Sequence, residues 1–208
     1  MRLTLVAALV ALAVGSSPVH AASLGGMGKA IFGNAFDFKK ANLDKVPVNA
    51  IKVGKLEVVL QRTRLNEIRK AYGGTIQRQG DGSERADWLC YYADGANVWF
   101  VANALGGFEF VMMVAAEAAK KPGAGCEDAP ADFAVPSFGV PGLGAGIAEL
   151  KDTFGSAPVR SGKISYRADE PGADALGTAN NAQYIGYVVS GKKVTGIGIG
   201  ETSVQIAK

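Results

Sequence analysis

The sequence predicts an α+β protein made of two tandem repeats, each a helix packed on a small antiparallel β-sheet. Three observations support this prediction. A short amphipathic helical pattern that ends in glycine occurs twice, at 65–73 and 147–155. Each copy is followed by segments in which apolar and polar residues alternate, the period of a half-buried strand. Tight-turn sequences separate these segments, as in an antiparallel meander.

Residues 1–21 are typical of a secretory signal peptide. Arg2 precedes an apolar run at 3–14, and Val19-His20-Ala21 places small enough residues at the expected cleavage point. The run is shorter than the roughly 20 residues that span a bilayer. We therefore expect cleavage and a periplasmic or secreted mature chain. No later segment predicts a transmembrane span.

Charge and composition exclude several classes of function. The chain has 22 Lys and Arg residues against 19 Asp and Glu residues, a formal net charge of +3. A nucleic-acid partner needs a concentrated basic field, so none is expected. The single histidine, His20, would leave with the signal peptide. The mature chain would then lack imidazole for metal sites and for nucleophile–base pairs, and we expect no metal, no cofactor and no enzymatic activity.

The two cysteines, Cys90 and Cys126, predict one disulfide bond. An even cysteine count in an exported chain favours a disulfide over free thiols. A redox role normally needs a Cys-x-x-Cys pair, which this sequence lacks. We therefore expect a structural bridge that stabilises the fold by roughly 3–4 kcal/mol.

An N-terminal arm is expected at 22–48, before the first repeat. Its stretch Ser23–Lys40 is rich in glycine and phenylalanine. Glycine disfavours a helix, so this stretch is either a short docking helix or a poorly ordered arm. Two roles remain open: a segment that binds a membrane surface or a partner, and a terminal arm that lies on the domain.

The first repeat is placed at 49–119. Its helix is predicted at Leu65–Tyr72, because the apolar residues there share one face. Thr63 is the expected N-cap, and Gly73 ends the helix. Strands are predicted at Asp87–Tyr92, Asn97–Val101 and Phe108–Ala116, with Asp94-Gly95 as the hairpin turn between the first two. In the third strand we expect the phenylalanine face to meet the helix and the glutamate face to meet solvent.

A connector rich in glycine and proline is expected at 120–146, and the second repeat at 147–208. The second helix aligns without a gap on the first: Ile147 corresponds to Leu65, Glu149 to Glu67 and Gly155 to Gly73. Its strands are predicted at Ile164–Arg167, Gln183–Val189 and Val194–Ile199. The shared order of helix, glycine and hairpin strands favours an internal duplication.

The pattern Leu-x-Glu-Ile-x-x-x-Tyr-Gly, followed by Trp88-Leu89-Cys90-Tyr91 and a Gly-Gly-centred strand pair, resembles the β-lactamase-inhibitor-protein-like superfamily. More distantly it resembles the small lipoprotein subunit of the outer-membrane β-barrel assembly machinery. The resemblance covers roughly 50–118 and 141–200. It implies helices on one side of a sheet whose other face is free to bind proteins. The inhibitors carry a disulfide in each repeat and the subunit is lipidated, whereas this chain has no cysteine in its second repeat or near the cleavage point.

Four aromatic residues are the candidate partner-binding residues: Trp88, Tyr91, Tyr92 and Trp99. Aromatic side chains on a sheet are most often core residues. If helices cover only one face, however, some of them lie on the other, where tryptophan and tyrosine are good binding anchors. The alternation of side chains does not decide whether Trp88 or Tyr91 points outward.

Candidate catalytic patterns are weak. The carboxylates at Asp81 and Glu84, and those of Asp169-Glu170, lie in turn-like polar surroundings where solvated charges are the ordinary explanation. The glycines at 142–146 lack the complete spacing of a phosphate-binding loop and are more typical of a hinge. The alternating glycines at 196–200 leave one strand face bare, which permits close approach of another backbone from this chain or from a partner.

These observations predict an exported, non-catalytic protein-binding module that acts through a sheet surface. It would be an inhibitor or an envelope-assembly factor, with an envelope or secreted protein as its partner. The alternative is a periplasmic small-molecule or lipid-binding protein in which Phe108, Met112 and their neighbours line a cavity.

Overall fold

The computed structural model describes residues 23–33, 35–174 and 177–205. The predicted signal peptide lies outside the described residues. The described residues form three α-helices and a larger, mostly antiparallel sheet, which confirms the α+β class. The helices are α1 (Gly26–Phe32), α2 (Leu65–Tyr72) and α3 (Ile147–Phe154), and the strands are β1 (Ile51–Val53), β2 (Leu56–Val58), β3 (Gln77–Gln79), β4 (Ala86–Ala93), β5 (Ala96–Asn103), β6 (Met113–Ala118), β7 (Glu127–Asp128), β8 (Gly162–Asp174), β9 (Gly177–Ser190) and β10 (Lys193–Gln205).

One continuous sheet joins the two halves of the chain. Its strand order is β3-β4-β5-β6-β10-β9-β8, and the short β7 pairs with β4 in parallel. The strands β6 and β10 pair antiparallel at the centre, with Ala116 opposite Ile197. A separate two-stranded sheet contains β1 and β2. In each half, a helix is therefore followed by an antiparallel meander whose last strand lies in the middle of the sheet.

Both predicted repeat helices occupy the residues expected for them. In α2 the Glu67 carboxylate accepts the backbone N–H of Arg64 (3.4 Å), and in α3 the Glu149 carboxylate accepts that of Gly146 (2.8 Å). These bonds satisfy an N–H group that the helix itself leaves free. Gly73 and Gly155 end the helices with φ of 75° and 73°, a conformation that glycine adopts without strain.

Thr63 was expected to cap α2, and this expectation is wrong. The residue at the cap position is Arg64. The Thr63 hydroxyl instead accepts the backbone N–H of Val59, 2.9 Å away, within the preceding turn. A threonine hydroxyl bonds local backbone groups on either side, so its position before a helical pattern does not decide which bond forms.

The main core lies between one sheet face and the helices α2 and α3. Ile68 of α2 and Leu150 of α3 are fully buried there. Tyr91, Phe100 and Phe133 pack edge-to-face or tilted at one end of this core. Both repeat helices thus bury their apolar stripe against the same side of the sheet.

The opposite sheet face is covered by the N-terminal arm. Met27 and Ile31 of α1 are almost fully buried against it. The glycines of β10 allow this contact, since a Cβ at Gly198 would lie 2.9 Å from that of Ile31. Phe36 then packs on Gly186, where a Cβ would lie 2.8 Å from the ring. The arm therefore lies on the domain, one of the two arrangements left open by its sequence, and the backbone that approaches the bare glycine face belongs to this chain.

The predicted third strand of the first half is shorter than expected. It begins at Met113 instead of Phe108, because Phe108 adopts a positive φ of 62° in a turn. The expectation that its glutamate face meets solvent is also wrong. The Glu117 carboxylate accepts the backbone N–H of Met27 at 2.9 Å, because the arm covers that face.

The strands of the second half are longer than their sequence pattern. The described β8, β9 and β10 each continue well beyond the alternating apolar segments that predicted them. The additions are polar stretches such as Asp169-Glu170, which carry no apolar alternation. Backbone hydrogen bonding between the strands holds these extensions, and it leaves no signature in the side-chain pattern.

Candidate functional site

Three of the four predicted partner-binding side chains are buried in the described structure. Trp88 is 0% exposed, Tyr91 1% and Trp99 2%. Tyr92 is half-buried at the end of β4. Trp88 and Trp99 lie on the arm side of the sheet, and Tyr91 lies on the side of α2. The sequence left open which of these side chains point outward. In the structure Trp88 and Trp99 are core residues, because α1 covers the sheet face that α2 and α3 leave open.

Both tryptophans are buried, and their indole nitrogens find no partner within the described part of the chain. Among those residues neither the Trp88 nor the Trp99 N–H donates a hydrogen bond. The backbone of α1 approaches Trp99 closely at Gly28, where a Cβ would lie 2.7 Å from the indole. The arm therefore fits the shape of this face closely, but its described residues supply no hydrogen-bond acceptor for the two indole N–H groups.

The predicted disulfide forms between Cys90 of β4 and Cys126 of the connector. It places the connector beside β4, where Glu127 and Asp128 form β7. The cysteine pairing expected from the sequence is therefore confirmed. Tyr91 lies next to it on the other sheet face and donates its hydroxyl to the carbonyl of Gly73 at 2.7 Å. Burial raises the pKa of the Tyr91 hydroxyl, so it remains a hydrogen-bond donor.

The candidate catalytic carboxylates do not meet. Asp169 pairs with Arg167 at 2.6 Å, and Glu170 accepts the backbone N–H of Val46 at 2.9 Å. Asp81 precedes a short 3-10 turn between β3 and β4, and Glu84 is the last residue of that turn. Each pair therefore lies in a separate polar stretch at the surface.

The glycine-rich stretch at 142–146 is fixed to β10. The N–H of Gly144 donates to the carbonyl of Val194, and the N–H of Val194 donates to the carbonyl of Ala145, each at 2.8 Å. The N–H of Gly146 is taken by Glu149. A phosphate-binding loop needs several free N–H groups that converge on the ligand. These amides already have partners within the protein.

One buried carboxylate, that of Asp87, has a lowered pKa. Asp87 of β4 accepts paired hydrogen bonds from both Arg78 and Arg85, at 2.7–3.0 Å. Burial alone would raise the pKa of the Asp87 carboxyl, but the bonds to the two guanidinium groups outweigh it and lower the pKa. Arg85 also stacks on Phe108, 4.0 Å from the ring centroid. This ion-pair network ties the edge strand β3 to β4.

An exposed apolar cleft lies beside α3, and no pattern in the sequence indicates it. We call it the α3 cleft. It has a volume of about 510 Å³ and opens to solvent. Val159 on its rim is 89% exposed, compared with 65% for Leu105, the other large exposed apolar residue in the described part of the chain. The residues that line the α3 cleft are Ile147, Ala148, Lys151, Ser156, Ala157, Pro158 and Val159.

The loop that carries Val159 is held at both ends. Before it, the Tyr166 hydroxyl donates to the carbonyl of Ser156 at 2.6 Å. After it, the N–H of Lys192 donates to the carbonyl of Arg160 at 2.8 Å, and the N–H of Gly191 donates to the Ser161 hydroxyl at 3.1 Å. These bonds leave the apolar residues 157–159 projecting between two fixed points.

Exposed basic residues lie in the segments that form or adjoin the α3 cleft. We call them the basic rim: Lys151, Arg160, Lys192 and Lys193, all exposed. They come from three segments of the sequence, and the hydrogen bond from the Gly191 N–H to the Ser161 hydroxyl joins the segment of Arg160 to that of Lys192 and Lys193. None of them takes part in the ion pairs found among the described residues, which are Arg64–Glu109, Arg78–Asp87, Arg85–Asp87 and Arg167–Asp169.

No helix among the described residues is long and apolar enough to cross a bilayer. Comparisons of the chain with models of protein families, with curated proteins and with solved structures found no match.

Proposed function

We propose that this chain is an exported, non-catalytic protein-binding module that contacts its partner through the α3 cleft. The observation that carries the proposal is Val159, a large apolar side chain that is 89% exposed on the rim of an apolar cleft. Exposed apolar groups beside a cleft are typical of protein-interaction sites, where a few anchors supply most of the binding energy. The partner would be an envelope or secreted protein, and the chain would act as its inhibitor or as an envelope-assembly factor.

Export is part of the same proposal. The signal-peptide pattern at 1–21 directs the chain to the periplasm or out of the cell, where disulfides persist. The bond between Cys90 and Cys126 is compatible with that destination.

The internal duplication also belongs to this proposal. The helix α2 precedes the meander of β4, β5 and β6, and the helix α3 precedes that of β8, β9 and β10. The two meanders meet through their last strands, so the halves are arranged about the β6–β10 pair. This order supports the resemblance to the β-lactamase-inhibitor-protein-like superfamily as an expectation about architecture.

The place of the interaction surface differs from the one that the resemblance implies. The second sheet face would be free in that superfamily, whereas here α1 covers it. The α3 cleft lies on the opposite side, among residues that stay exposed. A lipid or small-molecule ligand held around Met112 is less well supported, because Met112 is 1% exposed and its sulfur would lie 2.7 Å from a Cβ at Gly106.

Site-specific photocross-linking tests the proposal. A benzophenone amino acid replaces Ala148 or Val159 at the cleft, and Leu105 serves as the control position because it is also exposed but lies elsewhere. We expect one adduct of defined mass in irradiated cell envelopes from the cleft positions and none from Leu105. Adding Val159→Asp to the Ala148 cross-linking variant should remove the adduct while near-UV circular dichroism stays unchanged. Equal adducts at all three positions, or none at the cleft, would contradict the proposal.

A further inference from the structure

The charge around the α3 cleft identifies the chemistry of its occupant. We infer that the cleft binds an acidic protein segment that places one apolar side chain between α3 and Val159. This inference rests on the proposed function and names the class of partner. It follows from three features of the described structure: an apolar cleft, a fixed loop and the basic rim.

The cleft fits a side chain better than a flat surface. Its lining combines the α3 residues Ile147 and Ala148 with the loop residues Pro158 and Val159, so that apolar atoms stand on two sides of an open space. An aliphatic side chain in that space would remove apolar surface of both partners from water. A bilayer, in contrast, is bound by insertion of a broad apolar face, and Val159 alone provides little such area.

The basic rim defines the sign of the charge that surrounds this anchor. Lys151 lies within the cleft lining, and Arg160 follows Val159 directly. Lys192 is hydrogen-bonded through its backbone to Arg160, and Lys193 begins β10 beside the start of α3. Four positive charges in the segments that form or adjoin one apolar site favour a partner with carboxylates near its apolar side chain.

The nearby acidic side chains do not reverse this balance. Glu149 of α3 is held by the backbone N–H of Gly146 at 2.8 Å, at the start of the helix. Asp152 is the other carboxylate of α3, next to Lys151. Lys163 lies close in sequence but turns away, with its ammonium 5.8 Å from the ring centroid of Phe36 on the arm side. The rim therefore keeps a positive excess of two over the carboxylates of α3.

The loop that carries Val159 is preorganised. The bonds to Ser156 and Arg160 hold its two ends, and Phe154 stacks on Tyr166 with ring centroids 4.1 Å apart. Binding to a loop that is already fixed loses less conformational entropy. Mutation of Val159 should therefore lower the affinity for the partner more than it lowers the stability of the fold.

The test uses the purified, oxidised chain labelled with ¹⁵N and three synthetic heptapeptides. The first is six glutamates around a central leucine, the second is six lysines around a leucine, and the third is six glutamates around a glycine. We expect the first peptide to shift the amide signals of Val159 and Lys192 saturably. The lysine peptide should leave them unchanged, and the glycine peptide should bind roughly tenfold more weakly, because it lacks the anchor.

Matched charge variants locate the interaction. Lys192→Gln/Lys193→Gln should weaken binding of the glutamate–leucine peptide several-fold, and added salt should reduce the difference. Lys39→Gln/Lys40→Gln is the control, since these adjacent lysines are also exposed but lie on the arm. Equal effects of the two double variants would overturn the inference.

Further results would overturn the inference or separate it from the proposed function. Binding of the lysine peptide, or equal binding of all three peptides, would overturn the acidic-segment inference. So would saturable binding of phosphatidylglycerol vesicles through the basic rim without peptide binding, because the occupant would then be a lipid surface. A site-specific protein adduct at Val159 together with no response to the acidic peptides would leave the proposed function standing while refuting its charge chemistry.

Discussion

Gly28 of α1 lies against the indole of Trp99 so closely that a Cβ at position 28 would be 2.7 Å from the ring. This contact joins two segments that are distant in the sequence, and it closes the second sheet face. The contact depends on the absence of a side chain at position 28, because a Cβ there would collide with Trp99 and Leu24. The glycines that weaken α1 as an isolated helix are the residues that let it dock.

Substitution of Gly28 should therefore loosen the arm. We expect Gly28→Val to lower the free energy of unfolding by about 1–3 kcal/mol, since overpacking forces side chains out of place. Tryptophan fluorescence should shift to longer wavelength as Trp88 and Trp99 meet water. Gly25→Ala is the matched control, because its Cβ would meet only the Ser23 carbonyl at 4.0 Å. An unchanged emission spectrum in Gly28→Val would show that α1 does not protect the indoles.

Removal of the disulfide should destabilise the fold without changing its topology. We expect Cys90→Ala/Cys126→Ala to lower the free energy of unfolding by roughly 2–4 kcal/mol, because the unfolded chain gains freedom when the loop is no longer closed. Chemical denaturation of the variant and of the wild-type chain, with and without reductant, measures this. The reductant should affect the wild-type chain alone. A variant as stable as the oxidised wild type would contradict a structural role.

The network around Asp87 should make stability depend on pH. The pKa of the Asp87 carboxyl is lowered in the folded chain by Arg85 and Arg78. Its contribution is therefore present above the unfolded pKa of about 4 and is lost as pH falls through the lower folded value. We expect Asp87→Asn to cost roughly 1–3 kcal/mol at neutral pH, and the difference from wild type to shrink under acid. Denaturation curves between neutral and strongly acidic pH measure it.

Asp169 provides the comparison for Asp87. Its carboxylate also pairs with an arginine, but the side chain is 35% exposed. Exposed ion pairs contribute little, so Asp169→Asn should cost less than about 1 kcal/mol. If Asp87→Asn costs no more than Asp169→Asn at neutral pH, the buried network is not a source of stability.

The hydroxyl of Tyr166 should control the loop of the α3 cleft. Tyr166→Phe removes the bond to the Ser156 carbonyl and should cost about 1 kcal/mol of stability. Amide hydrogen exchange at Ala157, Val159 and Arg160 should accelerate. Tyr187→Phe is the matched control, because it removes a similar bond to the Pro141 carbonyl at 2.9 Å that does not hold this loop. Equal acceleration in both variants would mean that the loop responds to general destabilisation only.

Local pattern predicted the elements well where it was strong. The apolar face and the terminal glycines predicted α2 and α3 at their observed residues, and Asp94-Gly95 predicted the hairpin between β4 and β5. Both glycine stops adopt positive φ. The disulfide followed from the cysteine count and the expected compartment. The helices and the hairpin could be predicted because they depend on neighbouring residues. The disulfide could be predicted because it depends on the number of cysteines and on the compartment.

The candidate site was less accessible to the sequence. Trp88 and Trp99 were identified as possible anchors because aromatic residues suit interfaces, yet their exposure depends on whether another segment covers them. The sequence of the arm fits both a poorly ordered segment and the docked helix that the structure shows, so it does not decide between them. Val159 gave no signal, since one valine in a loop has no pattern, and Arg160 and Lys192 are neighbours only in the folded chain.

The sequence by itself determined the α+β class, the helices α2 and α3, the hairpin between β4 and β5 and the pairing of the two cysteines, because periodicity, turn residues and cysteine number are local or countable properties. The tertiary structure alone decided that the meanders join at β6 and β10, that α1 buries the tryptophan face and that the α3 cleft stays open. These outcomes depend on contacts such as that between Ile31 and Gly198. The free energy of such contacts arises only when distant segments come together, so no local pattern records which surface they leave exposed.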